Sequence, residues 1–337
     1  MHLYRLLNDT STIFHLGKDA LNDNSYIIHS DTLFSAIINC YTTIYGKQSA
    51  DIFIREFRNG NIKLSSVFYF IDFLNNDLAK SIYFFPIPNL SEIGYNTSQN
   101  SDNITYISEN LFKELILNYD PDTYSSKFNS DTQVFSDMFC CENLEFLKNN
   151  KADIMQIMTE YKAEFTRITS QLNFSKRYVN TSLLLNQIEL DNFSLKPGMF
   201  FLADINTSFM DKFDASVRLL CDEGIGGKRS TGRGQFTKFE KLEYKYDKDF
   251  FNSARIKINL SLISPTGNDL KDLKNNFIRY SSVLRGGWTP NNIKTKNLRM
   301  VKEGSIFKTK LQGRLVNITP LNFKEHKIFR NGVGFFL

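Results

Sequence analysis

Residues 224–234 read Gly224-Ile225-Gly226-Gly227-Lys228-Arg229-Ser230-Thr231-Gly232-Arg233-Gly234, five glycines interleaved with three cations and two hydroxyls. Glycine admits positive φ and lets a ligand's backbone come close, while the cations and hydroxyls suit phosphate oxygens. The stretch follows a helical stripe (Met210, Phe213, Val217, Leu220, Cys221) and precedes strand-like residues 235–246. A nucleotide-binding P-loop, GxxxxGK[ST], does not fit. With Gly227-Lys228 as its GK, Asp222 stands at the first glycine and Arg229 at the magnesium-binding hydroxyl, and the loop follows a helix where a P-loop opens one. The remaining alternative is a plain flexible connector.

Outward from this loop, His2–Leu7 reads as an opening strand. His29-Ser30-Asp31-Thr32 offers N-caps for a helix carrying Leu33, Phe34, Ile37, Ile38, Tyr41, Ile44 and Tyr45, stopped by Gly46. Residues 62–73 and 81–87 have strand character, and so do 165–169, 177–185 and 198–205. Between them, 85–160 is acidic and rich in Asn, Ser and Asp, with helices expected near 108–118 and 143–165. Without that stretch the order is strand, helix, strands, helix, strand, the βαββαβ pattern of a ferredoxin-like (RRM-like) domain. The expected architecture is α+β: a first ferredoxin-like domain over 1–243 with a helical acidic insertion at about 85–160, then a degenerate second over 244–337. In the latter, Ile256, Ile258, Leu260 and Leu262 alternate as a half-buried strand, 270–277 forms a short helix, and Asn331-Gly332 signals a hairpin.

Charge divides the 337 residues unevenly. Residues 244–337 hold 18 Lys and Arg against 6 Asp and Glu, whereas 85–160 hold 4 against 12. The basic region is the footprint expected of a polyanion partner, although a solvated lysine-rich surface gives similar counts. The four cysteines (Cys40, Cys140, Cys141, Cys221) form no CxxC and no disulfide framework, which points to a reduced, cytoplasmic protein. No histidine lies at zinc-ligand spacing, so neither a metal nor another cofactor is expected. No apolar run reaches membrane-helix length and the N-terminus lacks a secretory pattern, so no membrane partner is expected either. Arg285 and Trp288, in the turn Arg285-Gly286-Gly287-Trp288, combine a cation with a flat ring that a splayed base could stack on. For Trp288, core packing remains open beside an RNA contact.

The loop GIGGKRSTGRGQF after a helix resembles the glycine-rich loop of the RAMP superfamily of CRISPR proteins. Further segments, in order, are Phe14-His15-Leu16-Gly17, Ser30-Asp31-Thr32-Leu33-Phe34-Ser35-Ala36, Arg285-Gly286-Gly287-Trp288, Glu303-Gly304-Ser305 and Phe329-Arg330-Asn331-Gly332-Val333-Gly334. Together they resemble the subunit-four family of the type III-A (Csm) interference complex. The resemblance implies a non-catalytic subunit of an antiviral ribonucleoprotein. Such a subunit holds the repeat-derived 5′ handle of the CRISPR RNA and links the large polymerase/cyclase-like subunit to an adjacent RAMP backbone subunit. It carries RNA binding onto Gly226, Gly227, Lys228, Arg229, Ser230, Thr231, Gly232 and Arg233, and onto Arg167, Lys176, Arg177 and Tyr178. Around the latter the family has a glycine-containing turn, where this chain has 170–175. A thumb hairpin is also implied in the first domain, at no assigned position. The alternative is a RAMP endoribonuclease that processes precursor CRISPR RNA, for which His15, His29 and Asp31 are the available groups.

Overall fold

The opening strand His2–Leu7 is paired on both sides, with Phe193–Ile205 on one and Lys238–Glu243 on the other, antiparallel in each case. This computed structural model describes residues 1–16, 27–75, 79–94, 104–136, 138–143, 156–169, 174–189, 193–245, 251, 254–271, 273–289 and 291–337. From that centre the main sheet runs Lys238–Glu243, His2–Leu7, Phe193–Ile205, Phe68–Asn75, Ala79–Pro86, Tyr106–Ser108, Phe139–Glu142, Thr132–Ser136. Tyr4 and Leu6 are fully buried on one face of the opening strand. Arg5 alternates to the other face, where its guanidinium lies 4.2 Å from the Phe70 ring centre and bonds Asp72 at 2.5 Å.

Two helices cover the buried face. Ser30–Asn59 buries Leu33, Phe34, Ile37 and Tyr41 as its spacing predicts. Gly46 (φ 78°, ψ 167°) interrupts the helix but does not end it. The chain kinks there and resumes, burying Phe53 and Phe57, until Gly60 caps it in the left-handed region. The second helix, Met210–Glu223, buries Phe213, Val217, Leu220 and Cys221, the stripe read from sequence. Across the kink Phe53 stacks on Tyr41 of the same helix at 4.1 Å, and Phe213 joins helix to sheet, meeting Tyr4 edge-on at 5.4 Å.

The acidic stretch is less helical than expected and is woven into the fold. Its helix Glu109–Leu117 is present, but Tyr106–Ser108, Thr132–Ser136 and Phe139–Glu142 extend the main sheet beyond Ala79–Pro86. Its apolar residues, among them Tyr106, Phe112, Phe139 and Cys140, belong to the same core as the opening strand. Of the helix expected over 143–165, residues 144–155 lie outside the described residues, and Met158–Thr169 is a strand. It pairs with Phe174–Leu185 through twelve registers, from Met158↔Leu185 to Thr169↔Phe174. At about 3.3 Å per residue this hairpin runs roughly 40 Å. Its base is held by Thr12–Phe14, paired with Leu183, Leu184 and Leu185.

Over 244–337 the expectations are corrected in detail. Within 256–263 only Lys257–Ile258 is strand, and the stretch is not half-buried, because Asn259 and Ser261 are as completely enclosed as Leu260 and Leu262. Short helices occupy Gly267–Lys271 and Leu273–Asn276. Asn331-Gly332 is no hairpin turn. Phe329–Arg330 pairs back with Val316–Asn317, and Asn331 is fully buried. Ile256, Ile258, Leu260, Phe335 and Leu337 share the core of the main sheet. Among the described residues no helix is long and apolar enough to cross a membrane.

Candidate nucleic-acid interface

The glycine-rich loop leaves the helix Met210–Glu223 at Gly224 and is pinned to the strand Thr12–Phe14 and its continuation. Gly227 N–H donates to His15 O at 2.8 Å, Gly234 N–H to Ile13 O at 3.0 Å, and Ile225 N–H closes the loop on Gly234 O at 2.9 Å. The glycines therefore divide by role. Gly234 (φ 77°) lies so close to Ile225 that a Cβ would sit 2.1 Å from its carbonyl oxygen, so this glycine serves the loop's own closure. Gly232 (φ 76°) has nothing within 4 Å of its Cβ position, so it marks the open tip that can admit a ligand.

Between them, Lys228 adopts left-handed backbone (φ 57°) and starts the 3-10 turn Arg229–Thr231, whose Thr231 hydroxyl donates to Lys228 O at 2.7 Å. Arg229 and Ser230 are exposed, and Arg229 holds only a long, solvent-facing pair with Glu223 at 3.5 Å. Arg233 is differently placed. Its guanidinium donates to the Ser182 hydroxyl at 2.6 Å, and Ser182 Oγ lies 3.4 Å from His15 Nδ1. Loop, opening segment and hairpin base are thereby joined at one point. Neither Ser182 nor the structural use of His15 was legible, since Ser182 is 51 residues from Arg233 and 167 from His15.

Arg167, Lys176, Arg177 and Tyr178 lie on the outer half of that hairpin. Arg167 is opposite Lys176 and Phe165 opposite Tyr178, two registers apart and so in the same phase of the pleat, whereas Arg177 pairs with Thr166 in the other. Residues 170–173, most of the stretch that departs from the family's turn, lie outside the described residues.

On the loop's other side, a cleft of about 420 Å³ separates it from the first helix, lined by Thr32, Asn39, Thr43, Glu223, Gly226 and Arg229. Cys40 also lines it, and burial, followed by nearby Glu223, pushes its thiol up to about 11, so it stays neutral.

Arg285 bonds Thr32, which lines the same cleft, yet its charge is already engaged. Nε donates to Asp31 Oδ2 at 3.0 Å, and Nη2 to Asp31 Oδ1 at 3.1 Å and to Thr32 Oγ1 at 3.0 Å. Arg330 bonds the same carboxylate at 2.9 Å. Burial opposes the Asp31 charge, but Arg285 and then Arg330 outweigh it and hold the carboxyl below its ordinary range. Beside it, His29 Nδ1 lies 3.0 Å from Glu303, which also accepts from the Ser66 hydroxyl. Burial again opposes the charge, and His29 overcomes it, keeping Glu303 low. His29, Asp31 and Glu303 thus fasten the start of the first helix to the C-terminal region. Trp288, by contrast, is 69% exposed, which removes the core-packing alternative. Among the described residues no group of three or more His, Cys, Asp or Glu is placed to hold a metal ion.

Comparison with known proteins gives a consistent picture. Residues 252–337 match the family model of the CRISPR Csm4 C-terminal domain. A protein of Methanocaldococcus jannaschii, "CRISPR system Cms protein Csm4", is 28% identical over 343 aligned residues, covering 92% of this chain and 86% of that one. Among solved structures, the chain superposes on one from the Csm3–Csm4 subcomplex of the type III-A CRISPR-Cas interference complex. The TM-score is 0.63 at 21% identity, with 100% of this chain and 98% of that chain covered. A chain of the Csm1–Csm4 cassette in complex with cA4 gives 0.55 at 16% identity, covering 100% and 96%. At these identities the structural likeness is one of fold.

Proposed function

We propose that this chain, which resembles Csm4 in sequence over nearly its whole length and in fold, is the non-catalytic RNA-binding subunit of a type III-A CRISPR effector complex. In this reading it grips the 5′ repeat-derived handle of the CRISPR RNA and joins the large polymerase/cyclase-like subunit to the adjacent RAMP backbone subunit in antiviral defence. The solved complexes of similar fold pair Csm4 with Csm3 in one case and with Csm1 in another, which supports both partners. The sheet order Lys238–Glu243, His2–Leu7, Phe193–Ile205, Phe68–Asn75, with a helix after the first and third strands in sequence, supports a ferredoxin-like unit in the first domain.

The observation that carries the reading is the joint at Arg233, Ser182 and His15. It sets a cation-bearing glycine loop against the root of a roughly 40 Å hairpin, so phosphates can track the loop while the hairpin parts one RNA segment from the next. The endoribonuclease alternative is disfavoured because its candidate groups are otherwise employed. His15 lies against Ser182, His29 bonds Glu303, and Asp31 is clamped by two arginines. The test is nuclease footprinting of CRISPR RNA bound to the full chain. Protection confined to the handle supports the reading, whereas protection of guide nucleotides alone, or cleavage of repeat RNA by the chain, overturns it.

A further inference from the structure

Beyond the loop, residues 277–302 contain six cations (Arg279, Arg285, Lys294, Lys296, Arg299, Lys302) and no carboxylate. They fold as a hairpin, Ser282–Arg285 against Leu298–Val301, continued outward by Lys302 N–H to Ser281 O and Thr295 N–H to Gly287 O, both 2.9 Å. Thr289 N–H donates to Ile293 O at 2.8 Å, joining the two sides of the connecting turn. Along its first strand, 280, 282, 284, 286 and 288 are exposed while 281, 283, 285 and 287 are half-buried. The inward phase carries Arg285 to its clamp on Asp31. The outward phase presents Tyr280 (57% exposed), Leu284 (49%) and Trp288 (69%). Lys294, Lys296 and Arg299 are exposed on the returning half.

Large exposed rings on a molecule of this size call for an occupant. A protein partner would be met by an interface core depleted of charge. Here, apart from Glu325, which accepts from Asn291 in the connecting turn at 2.5 Å, the exposed charges on the hairpin are cations, the combination that binds single-stranded nucleic acid, with cations on phosphates and rings under bases. The hairpin is tied to the cleft from its inward side. Arg285 bonds Thr32, and Thr32 lines the cleft whose opposite wall carries Gly226 and Arg229.

We infer that the outward face of residues 280–288, with Lys294, Lys296 and Arg299, is a second single-stranded RNA platform that receives the strand after it crosses the cleft from the glycine-rich loop. This rests on the RNA-binding reading above, and adds Tyr280, Leu284 and the returning cations to it. Trp288 is the only tryptophan, so its emission reports this face alone. The test titrates the full chain with dye-labelled single-stranded RNA of handle sequence, following dye anisotropy and Trp288 emission together. The expected result is quenching of Trp288 in step with anisotropy. Trp288→Leu should weaken binding by about tenfold, and a combined K294A, K296A and R299A variant should lower the salt slope by about three. All these side chains are exposed, and far-ultraviolet circular dichroism confirms that each variant is folded. Binding without any change in Trp288 emission, with both variants at wild-type affinity, overturns the platform while leaving the loop's role standing. Unchanged RNA affinity in a Tyr280→Ser, Leu284→Ser variant that no longer joins its protein partners overturns it in favour of a docking face. No anisotropy change at all overturns the RNA-binding reading itself.

Discussion

Arg330 Nη1 donates to Asp31 Oδ2 at 2.9 Å across 299 residues of chain, and Arg285 grips the same carboxylate from the other side. Arg330 Nη2 continues to Gly286 O at 3.0 Å, so one carboxylate anchors the start of the first helix, the turn before Trp288 and the end of the chain. Removing one partner from a buried ion group strands the others, typically at about 3–5 kcal/mol. Asp31→Ala is therefore expected to lower stability by that order. Equilibrium denaturation checks it, and an unchanged midpoint would show that the clamp holds nothing.

The same site sets an acid limit. Asp31 and Glu303 both titrate below their ordinary ranges in the folded chain, against about 3.9 and 4.3 when unfolded. Because the folded values are the lower ones, the ion pairs' contribution is present above pH of about 4–5 and is lost as pH falls through the folded values. Stability followed from pH 7 down to pH 3 should decline on the acid side. In Asp31→Asn the decline should be shallower, with the starting stability already reduced.

These clamps explain what the sequence could and could not disclose. The stripes Leu33–Phe34–Ile37–Tyr41 and Phe213–Val217–Leu220 repeat within one helix, so their periodicity alone declared both helices. The glycine-rich loop was visible because its composition is local. Asp31 looked like a helix cap because its true partners, Arg285 and Arg330, are remote and nothing in the pattern announces them. Residues 165–169 are strand as read, but 158–164 were expected as helix because Tyr161, Ala163 and Phe165 alternate with Glu160, Lys162 and Glu164 over too short a run to declare a strand, and the pairing partner supplies the stability. Asn331-Gly332 carries turn chemistry but is buried by tertiary contacts that override it. The basic excess of 244–337 was legible as charge, while the exposure of the rings within 277–302 was not.

Two glycine substitutions should separate closure from access. Gly234→Ala would thrust a methyl to 2.1 Å from Ile225 O, so backbone must move and the loop must leave its place on Ile13. Gly232→Ala meets nothing within 4 Å and suffers only the left-handed strain, about 1 kcal/mol. Thermal melts should show Gly234→Ala as clearly the more damaging. Similar melts for the two would contradict the division of roles.

Arg229 and Arg233 should likewise come apart. Arg229 is exposed with one weak pair, so Arg229→Ala should leave stability within about 0.5 kcal/mol and lower the salt slope of RNA binding by about one. Arg233 holds Ser182, so Arg233→Ala should reduce stability as well as affinity by loosening the hairpin root. Denaturation and salt titration on the two variants decide this, and equal stabilities would mean that the joint to Ser182 contributes nothing.

A subunit that caps the handle must recognise a fixed repeat-derived sequence, whereas one riding on the guide must accept any. The phosphate contacts proposed for Lys228 and Arg229 would not make that distinction, because every nucleotide presents the same phosphate. The loop has other means. Asn39 lines the cleft opposite Gly226 and offers a side-chain donor and acceptor to a base edge, whereas Thr43 Oγ1 already donates to Asn39 O and Thr32 Oγ1 accepts from Arg285. Changing handle bases at constant length is therefore expected to weaken binding, each lost hydrogen bond that strands a buried group costing about 1–3 kcal/mol. Changing guide bases should alter nothing, since the proposed function sets the handle, and not the guide, against the cleft. The measurement is competition between intact and scrambled handles for the full chain at one fixed salt concentration, repeated with Asn39→Ala. A scrambled handle should compete several-fold less well against the wild type, and the gap should narrow in the variant. Equal competition would mean that the chain holds RNA by its phosphates alone, and the cleft beside the glycine-rich loop would have no part in choosing which RNA it holds.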